Sequence, residues 1–171
     1  LCLGRDSTPQ ENEATLKKAL QYHGKGIIGI DIAGPEKNIM SEEFIPYFKA
    51  AHTAGMVTTC HVGETKHDGV EDEIAWVLEK LRPKRIGHGI QIVDYPRLMK
   101  KASHAEVTFE ICITSNVMTK AVAGIMEFPI IFGHFAQYDI DWELCTDAIY
   151  PLNTTIQKEH DLYTKICLMR I

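Results

Sequence analysis

Short apolar runs return along this chain every ~25–30 residues, the length of one strand-plus-helix unit. They are Leu1–Leu3, Gly26–Ile32, Met56–His61, Arg85–His88, Val107–Cys112 and Trp142–Thr146, and each reads as a strand. None shows a clean polar–apolar alternation, so both faces of each strand are expected to be covered, as in a parallel sheet. Helical stretches lie between the runs. That rhythm calls for a parallel α/β sheet with right-handed crossovers. Two architectures satisfy it, an open doubly wound sheet and a (β/α)8 barrel of the TIM type. No glycine-rich phosphate loop follows the first run, which weighs against the nucleotide-binding open sheet. A closed barrel takes ~250 residues. With 171 residues, about six βα units of an incomplete barrel are expected, in a single domain spanning 1–171.

Local signals place the helices. Thr8-Pro9-Gln10-Glu11 is a capping box with proline at the first helical position, opening a helix to about Tyr22. Ser41-Glu42-Glu43 starts another, its acids near the positive end of the helix dipole, and Gly55 follows its end. A third runs from Val70 to about Leu81 and is stopped by Pro83. A short fourth begins at Asp94-Tyr95-Pro96, and a last one covers Thr154 to about Met169. The stretch from Asn116 to Ile140 has no clear period; a short helix is expected near Ala121–Met126, ahead of Pro129.

Hydrophobic residues make up 45% of the chain and charged residues 24%, the composition of an ordinary globular domain. A net charge of −5 argues against nucleic-acid binding, which asks for a basic face. No apolar run is long enough to span a bilayer, and the first residues lack the order of a secretion signal. The five cysteines, Cys2, Cys60, Cys112, Cys145 and Cys167, form no C-x-x-C pair. Buried free thiols in the reducing cytoplasm are the expected state. The chain opens inside an apolar run without Met, as a fragment or processed product does.

Chemistry-bearing residues gather at the carboxyl ends of the runs, which in a barrel converge on one mouth. His61 closes one run and is followed at once by Gly63 and Glu64. His88 sits between Gly87 and Gly89, and Asp147 ends the last run. Two imidazoles and two carboxylates at one mouth are the donor set of a metal-activated water. The bland alternatives are a loop carboxylate for Glu64, an incidental turn histidine for His88 and a turn cap for Asp147. Asp31, inside an apolar run, must be paired or hydrogen-bonded. Gly34 lets a ligand approach the main chain. The remaining histidines, His23, His52, His67, His104, His134 and His160, are expected at the surface.

Gly29-Ile30-Asp31-Ile32-Ala33-Gly34-Pro35-Glu36, His61-Val62-Gly63-Glu64, Arg85-Ile86-Gly87-His88-Gly89, Glu110-Ile111-Cys112-Ile113-Thr114-Ser115-Asn116 and Thr146-Asp147 occur in that order. In this ordered set the chain resembles the adenosine deaminase family of zinc-dependent purine deaminases, of the metal-dependent hydrolase superfamily. The resemblance implies the C-terminal three quarters of a barrel, starting at its third strand. It implies Zn2+ held by His61 and Asp147. Glu64 would protonate a purine ring nitrogen, His88 would orient and help deprotonate the attacking water, and the Gly34 amide would bind a second ring nitrogen. Attack on the ring carbon and loss of ammonia would then turn adenosine into inosine. The family's first strand carries a His-x-His pair with two further zinc ligands, which this chain lacks. Ala148 stands where the family has a second, purine-contacting Asp, Ile149 replaces Pro after it, and Ile113 stands where Pro is usual.

The reading is therefore a cytoplasmic deaminase of adenosine or a related aminopurine nucleoside. One alternative keeps the chemistry with adenine or a modified adenosine as substrate. A second is an inactive fragment that only binds ligand or partner. Expected partners are a small-molecule purine nucleoside, with neither nucleic acid nor membrane. An open barrel exposes strand edges, so self-association or a complementing N-terminal segment is expected too.

Overall fold

The computed structural model describes residues 1–169. Its strands are β1 (Cys2–Gly4), β2 (Gly29–Ala33), β3 (Val57–His61), β4 (Arg85–Gly87), β5 (Thr108–Ile111) and β6 (Trp142–Leu144). All pair in parallel and stand in the sheet in chain order, each beside the next. A doubly wound sheet reverses its strand order at a switch point. This one never reverses, so it is the wall of a barrel. Among the described residues β1 and β6 each have one strand neighbour, and the wall stays open.

The helices are α1 (Pro9–Gln21), α2 (Ile45–Thr53), α3 (Val70–Trp76), α4 (Pro96–His104), α5 (Ile113–Met118), α6 (Phe128–Gln137), α7 (Ile149–Leu152) and α8 (Ile156–Leu168). The capping box forms as read: Glu11 N donates to Thr8 Oγ1 at 3.3 Å, and Thr8 N donates to Glu11 Oε2 at 2.8 Å. Thr8 N and Thr8 Oγ1, which both donate to Glu11 Oε2 at 2.8 Å, hold the Glu11 carboxyl below its ordinary pKa. Glu42–Phe44 forms a 3-10 turn leading into α2. A π-helical turn over Val77–Leu81 extends α3, and Arg82 ends it at φ 49°.

The region of unclear period folds differently from expectation. Ala121–Met126 is not a helix: 121–124 is irregular, and Ile125–Glu127 makes one 3-10 turn. The helix is α6, and Pro129 lies in its first turn, where a missing N–H breaks no helical bond. Its buried residues Phe128, Ile131 and Phe135 give the core-facing stripe. With six residues, α5 is too short to show a period.

The strands alternate after all. Ile30, Ile32, Thr58, Cys60, Ile86, Phe109 and Ile111 are buried, whereas Asp31, Thr59, His61, Arg85 and Glu110 between them are only half-buried. The first set packs under the helices, and the second faces the barrel interior. The buried side chains form one continuous core between sheet and helices. Phe109 and Phe135, both fully buried with ring centroids 5.2 Å apart, join β5 to α6. Burying an aromatic ring of this kind contributes about 1.5–3 kcal/mol. Phe132, Trp142 and Tyr163 pin α6, β6 and α8 together. Cys60 and Cys112 are buried free thiols, Cys145 is half-buried, and Cys2 and Cys167 are exposed. No described helix is long and apolar enough to cross a membrane.

Candidate active site

Parallel register brings the strand ends to one rim. His61 is opposite Gly87 on β4, and Gly87 is opposite Glu110 on β5. His61 ends β3 and His88 comes one residue after β4. Gly34 follows β2, Glu64 comes three residues after β3, and Asp147 three after β6. Asp31, His61, Gly87, Glu110, Cys112 and Asp147 line a cavity of about 550 Å³ at this rim, together with Ala33, the neighbour of Gly34. Every residue singled out from the sequence as catalytic, metal-binding or substrate-binding thus lies at or beside the mouth.

Backbone geometry at the rim is unusual. His88 has φ 58° and Asp147 φ 56°, both in the left-handed region. Non-glycine residues in that region cost about 1–3 kcal/mol and cluster at functional sites. Two glycines are favoured by contact. A Cβ on Gly87 would come within 2.6 Å of the His61 ring, so glycine there lets the imidazole lie across β4. Gly63 (φ 69°) takes a left-handed turn to deliver Glu64, and a Cβ there would come within 2.7 Å of Ile74 Cδ1 on α3, so glycine suits the position on both counts.

His61 Nδ1 lies 3.1 Å from Asp31 Oδ1, the pairing that an acid in an apolar strand requires. This bond takes one ring nitrogen and leaves Nε2 for another partner. Burial opposes a charged His61 ring, but the Asp31 hydrogen bond and the carboxylates of Asp31, Glu110 and Asp147 outweigh it and raise its pKa. His88 is 2% exposed, and burial pushes its pKa down against the pull of Glu64 and Asp147. The His61 and His88 rings meet edge to face with centroids 5.3 Å apart. Glu64 Oε2 and Asp147 Oδ2 lie 3.7 and 3.9 Å from His88 Nε2. Ser115 Oγ donates to Asp147 Oδ2 at 2.6 Å, and Asn116 Nδ2 donates to His88 Nδ1 at 2.9 Å.

Glu64 is held from several sides. Its backbone N–H donates to Glu36 Oε1 at 3.1 Å, and its carbonyl accepts from Gln91 Nε2 at 3.0 Å. Thr119 Oγ1 donates to Glu64 Oε1 at 3.0 Å. Behind this loop Arg5 is buried, with Nη1 2.9 Å from Glu73 Oε1 and Nη2 donating to the His61 carbonyl at 2.6 Å. On the inner face Arg85 pairs with Glu110 and Glu143, and those hydrogen bonds raise its pKa.

The surface assignment of the remaining histidines needs correction. His52, His104 and His160 are exposed, but His23 and His134 are half-buried and His67 is drawn inward. His67 Nε2 lies 3.4 Å from Glu73 Oε2. Glu36, His67 and Glu73 place their donor atoms within 4.8 Å of one another. The Arg5 guanidinium already supplies positive charge there, 2.9 Å from Glu73 and 3.9 Å from Glu36, so the cluster is a charged brace under the Glu64 loop. No local pattern reveals it. Its one sequence signal is an arginine set directly after an apolar strand.

His61 and Asp147 suit a zinc ion by donor type: one free imidazole nitrogen and one carboxylate oriented by a serine hydroxyl, on a shared cavity. They are two donors, where a catalytic zinc site takes at least three from protein.

Comparison with known proteins bears on the same surface. The family model described as adenosine deaminase matches residues 1–167. The adenosine deaminase of Clostridium botulinum (strain 657 / Type Ba4) is 32% identical over 170 residues, covering 99% of this chain and 50% of that protein. The adenosine deaminase of Vibrio vulnificus (strain CMCP6) is 32% identical over 159 residues, covering 93% and 46%. Among solved structures, the apo N6-methyl-AMP deaminase of Arabidopsis thaliana superposes with a TM-score of 0.84 at 27% identity, covering 99% of this chain and 48% of that one. The chain spans about half the length of the curated relatives it matches.

Proposed function

Because the chain belongs to the adenosine deaminase family, we propose that its strand-end residues serve the hydrolytic deamination of an adenine-type substrate to the oxo-purine and ammonia. The observation that carries this reading is the convergence of His61, Glu64, His88 and Asp147, from three separate strand ends, on one rim. Bound zinc would lower the pKa of its water to ~7 and so supply hydroxide at neutral pH. His61 Nε2 and Asp147 would hold that ion, with further ligands from outside this residue set. Asp31 and Ser115 orient these two ligands. Glu64 would give its proton to a ring nitrogen beside the reacting carbon. Thr119, Gln91 and Glu36 fix it for that task. The Gly34 N–H would bind another ring nitrogen. His88 would contact the oxygen that adds to the ring. The open edges at β1 and β6 would be covered by an N-terminal segment or by self-association.

A second reading concerns the substrate. Ala148, next to Asp147, offers a methyl where the resemblance puts a purine-contacting carboxylate. That favours adenine or a modified adenine nucleoside or nucleotide over adenosine itself. The test is a zinc-loaded preparation in its full-length context, offered adenosine, adenine and N6-methyl-AMP. Absorbance is followed toward the oxo-purine, and kcat/KM ranks the substrates. A folded, zinc-loaded protein that leaves all of them untouched would overturn the proposal.

A further inference from the structure

The ring of His88 is bounded on two sides by groups of opposite hydrogen-bonding character. On the δ side, Asn116 Nδ2 sits 2.9 Å from Nδ1. An amide nitrogen only donates, so Nδ1 must accept and cannot carry the proton. On the ε side, carboxylate oxygens of Glu64 and Asp147 lie 3.7 and 3.9 Å away, and their negative charge favours a proton on Nε2. Both sides thus select the same neutral ring. His88 is 2% exposed and Asn116 is 0% exposed, so water does not scramble the choice. Asn116 is also anchored: its N–H donates to Cys112 O at 2.9 Å, and its carbonyl accepts from Val122 N at 3.2 Å. Its Oδ1 is buried without a partner.

We infer that Asn116 is a positioning residue that holds His88 as the Nε2–H tautomer, so that the ring meets the reaction centre as a hydrogen-bond donor. The kinetic part of this inference rests on the deaminase reading above; the tautomer itself does not. With Nδ1 occupied by the amide and Nε2 already protonated, the ring has no lone pair to offer as a base. Its task becomes donation to the oxygen that adds to the purine, in a site where burial strengthens each hydrogen bond. This differs from the deprotonating role that the family resemblance implies for His88.

The tautomer is read by 15N–1H correlation spectra of the histidine rings in the metal-free chain, with His88 identified through His88→Gln. The expected result is an unprotonated Nδ1 and a protonated Nε2. A protonated Nδ1 in the wild-type chain overturns the inference, whatever any variant does. Asn116→Asp presents only an acceptor and should move the proton to Nδ1; Asn116→Ala should give a mixture. A pure Nε2–H ring in Asn116→Ala would show that the carboxylates act alone and remove Asn116 from the role. If Asn116→Asp does not fold, the wild-type and Asn116→Ala spectra still decide. In the full-length zinc-loaded protein, Asn116→Asp should lower kcat by about 10–100-fold with KM changed less. A wild-type protein without deaminase activity defeats the proposed function but leaves the tautomer result standing.

Discussion

Asp31 Oδ1 on β2 lies 3.1 Å from His61 Nδ1 at the end of β3, and this contact fixes which nitrogen of His61 is free. The carboxylate occupies Nδ1, so Nε2 is the nitrogen left for another partner. A carboxylate behind a metal-binding histidine sets tautomer and orientation together.

The same pair makes stability depend on pH. His61 has its pKa raised above the ordinary 6.5. A histidine of that kind contributes stability that is fully present below its unfolded pKa and lost as the pH rises through the folded one. Without metal, the stability difference between wild type and Asp31→Asn should be largest in mild acid and shrink as the solution is made alkaline. Urea unfolding across about pH 5 to 8 checks this. A constant difference would show that the Asp31 contact does not raise the pKa of His61.

Glu64→Gln keeps the shape of the side chain and removes the proton it would deliver. Deamination by the full-length, zinc-loaded protein should fall by about 10²–10⁴-fold, while zinc content and melting temperature stay near wild type. Equal losses of activity and bound zinc would assign Glu64 to holding the site together.

Arg5 ties three elements together under the site. Arg5→Met should leave the Glu73 carboxylate buried without its cation and cost about 3–5 kcal/mol in urea unfolding. The double change Arg5→Met, Glu73→Gln should recover part of that loss. No recovery would show that the arginine acts through its bond to the His61 carbonyl alone.

Gly87→Ala would put a methyl 2.6 Å from the His61 ring. The ring must move, at a cost of about 1–3 kcal/mol, and zinc affinity measured by competition with a chelator should fall. Gly133→Ala in α6 meets nothing within 4 Å and should raise stability by about 0.5–1 kcal/mol. Unchanged metal affinity in Gly87→Ala would remove His61 from the ligand set.

The sequence carried the architecture and the placement of the site. Apolar runs at βα spacing predicted the parallel wall, because strand-forming residues and their period are local. The Thr8–Glu11 box was legible for the same reason: its bonds join residues three apart. His61, Glu64, His88 and Asp147 group together from sequence alone, since parallel strands send all their carboxyl ends to one rim. The helix α6 was not legible, because a proline that opens a helix looks like one that ends it until packing shows which side is buried.

Sequence by itself determined which residues reach the mouth; tertiary structure alone decided what each of them touches. Asn116 meets His88 across 28 residues and Arg5 meets Glu73 across 68. His67, read as a surface residue, turns inward to the same brace. Such contacts leave no trace in local periodicity. They arise because buried polar groups must find partners wherever the fold brings donors and acceptors together.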